Sequence, residues 1–148
     1  MSLRVLRAFD ELSSNALDLA SLARHLDQPD SVARAVVDRM LREGLLRFAG
    51  GPNQFFRTEA GILAVAGPRD ATLFTRNSCH LCDEAKRIIL PLLREFGGIL
   101  REVDIDRNSE LRAKYSNEVP VIFLGARKAA KHRVDPEQFR RQLASAGR

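Results

Sequence analysis

Ala71-Thr72-Leu73-Phe74-Thr75-Arg76-Asn77-Ser78-Cys79-His80-Leu81-Cys82 is the stretch that decides how the rest of the chain is read. Ala71–Thr75 is short, apolar and rich in strand formers. From Asp83 to Phe96, the residues Ala85, Ile88, Ile89, Leu92 and Phe96 recur at helical spacing. The only two cysteines of the 148-residue chain therefore stand two residues apart where a strand turns into a helix. A Cys-x-x-Cys at such a turn reads as a dithiol redox site. The spacing lets one thiolate attack a substrate disulfide while the other resolves the mixed disulfide.

The helix makes the two thiols unequal. Cys82 lies three residues before Ala85 and seven before Ile89, on the buried stripe. Cys79 falls at or just before the first turn, where a side chain stays exposed and the unpaired N–H groups and helix dipole favour a thiolate. A protonated His80 would add to that effect, and Asp83 would oppose it. Cys79 is accordingly expected as the nucleophile and Cys82 as the resolving thiol. The alternatives are two inert core cysteines or half of a metal or iron–sulfur site shared across a dimer. A zinc site wants four ligands, and the chain offers only these thiols with His25, His80 and His132. No metal is expected.

Charge divides the chain. Residues 1–67 hold 8 arginines, no lysine and 8 acidic residues, so the +5 formal charge lies wholly in residues 68–148. The shift coincides with the breaker pair Gly67-Pro68 and places a boundary there, with domains expected over 1–66 and 70–148. Arg4, Arg7, Asp10 and Glu11 interrupt the N-terminus, and no apolar run is long enough to span a membrane. Two close cysteines are not a secreted disulfide framework. The expected setting is a reducing cytoplasm, with no membrane partner.

In the first segment, Leu3, Leu6, Phe9 and Leu12 make a short amphipathic helix, and Asp18 caps a second carrying Leu19, Leu22, Ala23 and Leu26. Pro29-Asp30-Ser31 opens a third, with Ala33, Val36, Val37, Met40 and Leu41 inward and Gly44 closing it. Leu45–Phe48 and Gln54–Arg57 read as strands around a Gly50-Gly51-Pro52-Asn53 turn, and Thr58-Glu59 starts a short helix through Val65. Three helices and a hairpin resemble a winged helix-turn-helix. Arg39-Met40-Leu41-Arg42-Glu43-Gly44-Leu45-Leu46 resembles the recognition-helix end and first wing strand of bacterial winged-helix regulators. That resemblance implies a third helix that enters a major groove, with Arg34, Arg39 and Arg42 as candidate DNA contacts and Arg47 and Arg57 flanking the wing. Asp30, Asp38 and Glu43 share the same region, and a segment with no net charge neutralises little phosphate. DNA is not the favoured partner; protein docking or homodimerisation is.

In the second segment, Gly97-Gly98 ends the Cys-x-x-Cys helix, with Pro91 expected to kink it. Ile99–Asp104 is a strand, Asn108–Tyr115 a helix, and Val119–Leu124 an apolar strand with Pro120 near its head. Lys128–Arg133 is an expected edge strand, and Asp135-Pro136-Glu137 opens a last helix through Leu143. The order β-α-β-α-β-β-α resembles the thioredoxin-like α/β/α sandwich, and within it the chain looks like a glutaredoxin-like protein over about residues 71–145. Phe74–Cys82, Val103-Asp104-Ile105-Asp106, Glu110–Tyr115 and Glu118-Val119-Pro120 carry that resemblance in order.

The resemblance implies Cys79, Cys82 and Pro120 as the catalytic set, Pro120 being in the cis form beside the thiols. It implies Val119 as the backbone partner of the substrate and Arg76 as the receiver of a glutathione carboxylate. His80 joins these two as a substrate-binding residue. Two departures stand out: the motif interior is His-Leu rather than Pro-Tyr, and the Gly-Gly and acidic pair that holds the glutathione amino end is absent. The basic cluster Arg127, Lys128, Lys131, His132 and Arg133 reads as a solvated edge that discourages strand pairing, the alternative being a patch that attracts an anionic substrate. The expected function is a thiol–disulfide oxidoreductase acting on a disulfide-containing protein or a glutathione mixed disulfide. It has no tightly bound cofactor, and glutathione is the candidate reductant. The alternative is a redox-sensing transcription regulator that binds DNA through the N-terminal segment.

Overall fold

The computed structural model describes residues 1–51 and 53–147; Pro52 of the expected turn and the terminal Arg148 lie outside the described residues. The chain divides into two compact units, Met1–Val65 and the chain from Ala66 on.

In the first unit, α1 (Ser2–Glu11), β1 (Ala16–Asp18), α2 (Leu19–Leu26), α3 (Asp30–Arg42), β2 (Leu46–Phe48), β3 (Gln54–Arg57) and α4 (Glu59–Leu63) follow in order. The three strands form one antiparallel sheet in the order β1-β3-β2. β1 was not legible from the sequence: it is three residues long, has one buried side chain, Leu17, and exists through its pairing with β3. Asp18 caps α2 by accepting the Ser21 N–H at 2.6 Å. That bond, the first of several causes, holds its carboxyl below the usual carboxylate range. Gly44, at φ +77°, ends α3: its N–H reaches the Leu41 carbonyl, and the Leu45 N–H reaches that of Met40.

The core of this unit joins Val5, Leu6, Phe9, Leu22, Leu26, Val37, Met40, Leu46 and Phe55. The inward stripe of α1 is Val5, Leu6, Ala8 and Phe9, whereas Leu3 and Leu12 are 48% and 42% exposed. The i, i+3 reading chose the right helix and shifted its face, because Val5 and Ala8 supply the i, i+3 and i, i+4 neighbours of Leu6 and Phe9.

In the second unit, β4 (Ala71–Thr75), α5 (His80–Phe96), β5 (Leu100–Asp104), a 3-10 turn (Ile105–Arg107), α6 (Ser109–Tyr115), β6 (Val121–Leu124), β7 (Arg127–Lys131) and α7 (Pro136–Ser145) reproduce the expected order. The sheet runs β5-β4-β6-β7, with β4 and β5 parallel and the other pairs antiparallel. Alternation along β4 sends Ala71 and Leu73 into the cluster with Ile89 and Leu93 of α5 and Phe139 and Leu143 of α7. Phe74 points the other way and stacks on the buried Tyr115 of α6 at 5.3 Å, with Phe123 edge-on at 5.6 Å. Helices therefore cover both faces of the sheet, and the carboxyl end of its central strand β4 runs into the Cys-x-x-Cys turn. α5 continues through Pro91, which is exposed.

Candidate functional site

β4 ends at Thr75, and three residues later Ser78, at φ +56°, turns the chain into α5. Cys79 is the N-cap: its Sγ accepts the Cys82 N–H at 3.2 Å, and its carbonyl accepts the Asp83 N–H at 3.1 Å. Cys79 and Cys82 form a disulfide with their Cα atoms 5.2 Å apart. Cys82 is 2% exposed and shares the inward face of α5 with Ala85 and Ile89, whereas Cys79 is half-buried and His80 exposed. Asp83 lies 3.8 Å from the Lys86 ammonium, which also pairs with Glu102 at 3.1 Å.

The Val119–Pro120 peptide bond is cis, Pro120 is buried and Val119 half-buried. The Pro120 carbonyl accepts the His132 N–H at 2.8 Å, and His132 adopts φ +65°. The turn from His132 to Val134 then reaches the first three turns of α5. Arg133 approaches Glu84 at 3.9 Å, and Leu81, Glu84, Ala85, Ile88, His132, Arg133 and Val134 line a small cavity of about 110 Å³. The proline segment and the start of the dithiol helix are thus bridged by residues that the sequence showed only as part of a basic cluster. Two more residues of that cluster are committed elsewhere: Lys131 pairs with Glu118 at 3.5 Å, and Lys128 lies over the Tyr115 ring.

Arg76 does not stand open. Its Nε and Nη2 donate to the two carboxylate oxygens of Asp106 at 3.2 and 2.6 Å, and its Nη1 donates to the Ser116 carbonyl at 3.1 Å. The hydrogen bonds between Arg76 and Asp106 raise the guanidinium pKa and hold the Asp106 carboxyl below the usual carboxylate range. Asp106 and Ser116 were missed by sequence reasoning. They lie 30 and 40 residues from Arg76, and nothing local announces the pairing.

Arg34, Arg39 and Arg57 are likewise engaged. Arg34 donates to the Asn53 side chain at 2.6 Å. Arg39 donates to the Ser2 hydroxyl at 2.7 Å and lies 3.8 Å from Glu43. Arg57 forks onto Asp10 at 2.8 and 3.2 Å and lies over the Phe9 ring. Arg42 is exposed on the last turn of α3. His25 pairs with Glu11. Among the described residues, no group of three or more His, Cys, Asp or Glu could hold a metal ion, and no helix is long and apolar enough to cross a membrane.

Residues 70–144 match the family model of the glutaredoxin-like domain, DUF836. The chain is similar to the glutaredoxin-like protein YDR286C homolog of Dictyostelium discoideum, with 38% identity over 72 residues covering 45% of this chain and 67% of that protein.

Proposed function

The chain belongs to the glutaredoxin-like domain family, DUF836, and on that premise we propose that it is a thiol–disulfide oxidoreductase in which Cys79 is the nucleophile and Cys82 the resolving thiol. The observation that carries this reading is the unequal placement of two bonded sulfurs. One caps a 17-residue helix at half-exposure and accepts a backbone N–H, and the other is sealed one turn further on. Helix-terminal N–H groups stabilise a thiolate at Cys79.

In the reductive direction, the Cys79 thiolate attacks one sulfur of a substrate disulfide, forming a mixed disulfide and releasing the first substrate thiolate. The Cys82 thiolate then attacks the Cys79 sulfur, forming the Cys79–Cys82 disulfide and releasing the second. Two electrons have passed to the substrate, and an external thiol reductant, with glutathione as the candidate, returns them. Pro120 and Val119 flank the path of the substrate chain, and His80 borders it. A reducing cytoplasm is the setting in which this cycle turns over.

The test is a pair of variants assayed on a peptide disulfide. Cys79→Ser abolishes reduction, and Cys82→Ser accumulates a mixed disulfide visible as a mass adduct. Adduct formation by Cys79→Ser rather than Cys82→Ser would reverse the roles.

For the first unit we propose a winged-helix module used for protein docking or dimerisation. Its element order and β1-β3-β2 sheet fit that pattern. Its arginines are matched by acids in number, and three are engaged by Asn53, by Ser2 with Glu43, and by Asp10. A charge already paired releases fewer counterions on meeting phosphate. Fluorescence anisotropy with random duplex DNA at low salt is expected to show no micromolar binding. Binding that weakens steeply with salt and is lost in Arg34→Ala/Arg39→Ala would favour the regulator.

A further inference from the structure

We infer that Asp106 is a resident carboxylate that occupies the carboxylate seat of Arg76, and that the substrates are therefore disulfides between cysteines embedded in polypeptide chains rather than small thiols that carry a free carboxylate. The inference rests on the oxidoreductase reading and specifies its substrate class.

A guanidinium offers a carboxylate two edges on which to form a pair of parallel hydrogen bonds. One edge, Nε with Nη2, is filled by both oxygens of Asp106 at 3.2 and 2.6 Å. On the other edge, Nη1 already donates to the Ser116 carbonyl at 3.1 Å. An incoming carboxylate therefore meets no edge whose two nitrogens both lack a partner.

The resident group is also held in place before any ligand arrives. Asp106 belongs to a 3-10 turn anchored by the fully buried Ile105, and its N–H is bonded to the Asp104 side chain at 2.9 Å. A tethered partner competes at an effective concentration set by its tether, in the millimolar range or above. A free carboxylate must displace it and gains little by doing so.

The same three bonds give Arg76 a different task. They join the segment before Cys79 to the 3-10 turn at 105–107 and to Ser116. From Ser116 the chain passes through Glu118, whose N–H is bonded to the Tyr115 carbonyl, into Val119-Pro120. Arg76 is a positioning residue for the two segments that carry the candidate chemistry. A substrate made of peptide bonds asks nothing of it.

The test uses the whole 148-residue chain and S-methylglutathione, a non-reactive thioether with free carboxylates, titrated by NMR. Wild type is expected to bind in the millimolar range or weaker. Asp106→Ala is expected to bind about fivefold tighter, the scale of an exposed ion pair removed from competition, and Asp106→Ala/Arg76→Ala is expected to lose that gain. Kinetically, Asp106→Ala should shift the ratio of kcat/KM values, glutathione mixed disulfide over peptide disulfide, by a similar factor toward glutathione. No gain in Asp106→Ala, or a gain that survives in the double variant, overturns the proposal. Tight wild-type binding that is lost on Arg133→Ala overturns it too, by placing the carboxylate elsewhere. If wild type reduces neither disulfide, the oxidoreductase reading fails, and the titration still decides the role of Asp106.

Discussion

Gly61→Ala sets two effects of opposite sign against each other. Gly61 lies in the short helix α4, where alanine is favoured over glycine by about 1 kcal/mol. The structure opposes the change. Gly61 is buried, and a Cβ there would overlap the Leu45 carbonyl oxygen while standing 3.2 Å from its carbon and 3.3 Å from Leu6 Cδ2. Non-bonded heavy atoms meet at roughly 3.5 Å, so the start of α4 must retreat by about 1 Å.

That retreat strains a joint. Thr58 is 5% exposed; its N–H is bonded to the Leu45 carbonyl at 3.1 Å, its hydroxyl donates to the Gly44 carbonyl at 2.6 Å, and it accepts the Gly61 N–H at 3.1 Å. Overpacking costs about 1–3 kcal/mol, and weakening the Thr58 cap costs about 1 more. Set against the propensity gain, the expected outcome is a loss of about 2 kcal/mol in the first unit. Hydrogen exchange followed by mass spectrometry reads this directly: amides of the core helices α1–α3 should open roughly thirtyfold more often. Exchange that is unchanged or slower would mean that α4 is not held against Leu45, and the argument from close backbone approach would fall.

Phe139→Ala empties a 1% exposed position in the cluster that joins α5, α7 and the sheet. It should cost about 3–5 kcal/mol in urea denaturation, and a loss under 1 kcal/mol would refute the assignment of that core. Because the Asp18 carboxyl is held below the usual range by the Ser21 N–H, its ionised form adds stability above that range, and the contribution is lost as pH falls through the depressed value. Asp18→Asn keeps a cap acceptor without a titrating group. The Tm of the variant is therefore expected to fall less steeply than wild type on acidification below about pH 4; parallel curves would show that Asp18 is not the group responsible.

Sequence and structure divided the work by the range of the interactions concerned. Local ones were legible in the chain. Helical spacing after Cys82 marked α5 and its buried face, Gly44 and Gly97-Gly98 marked helix ends, and Asp18, Thr58 and Asp135 opened helices because capping is settled within three or four residues. The Cys-x-x-Cys spacing itself stated which thiol would be sealed, since one helical turn separates an end from a buried stripe.

What the sequence could not state depends on partners far along the chain. β1 has one buried residue and no pattern of its own; it exists because β3 offers it a ladder. Arg76 read as a cation beside a thiol, and only folding brought Asp106 and Ser116 to its fork. Arg57 read as a wing arginine, yet it clamps Asp10 from 47 residues away. A long cationic side chain reaches several ångströms from its backbone and takes whichever acceptor the packed elements leave within range. The sequence therefore named the charge, and the tertiary structure chose its partner.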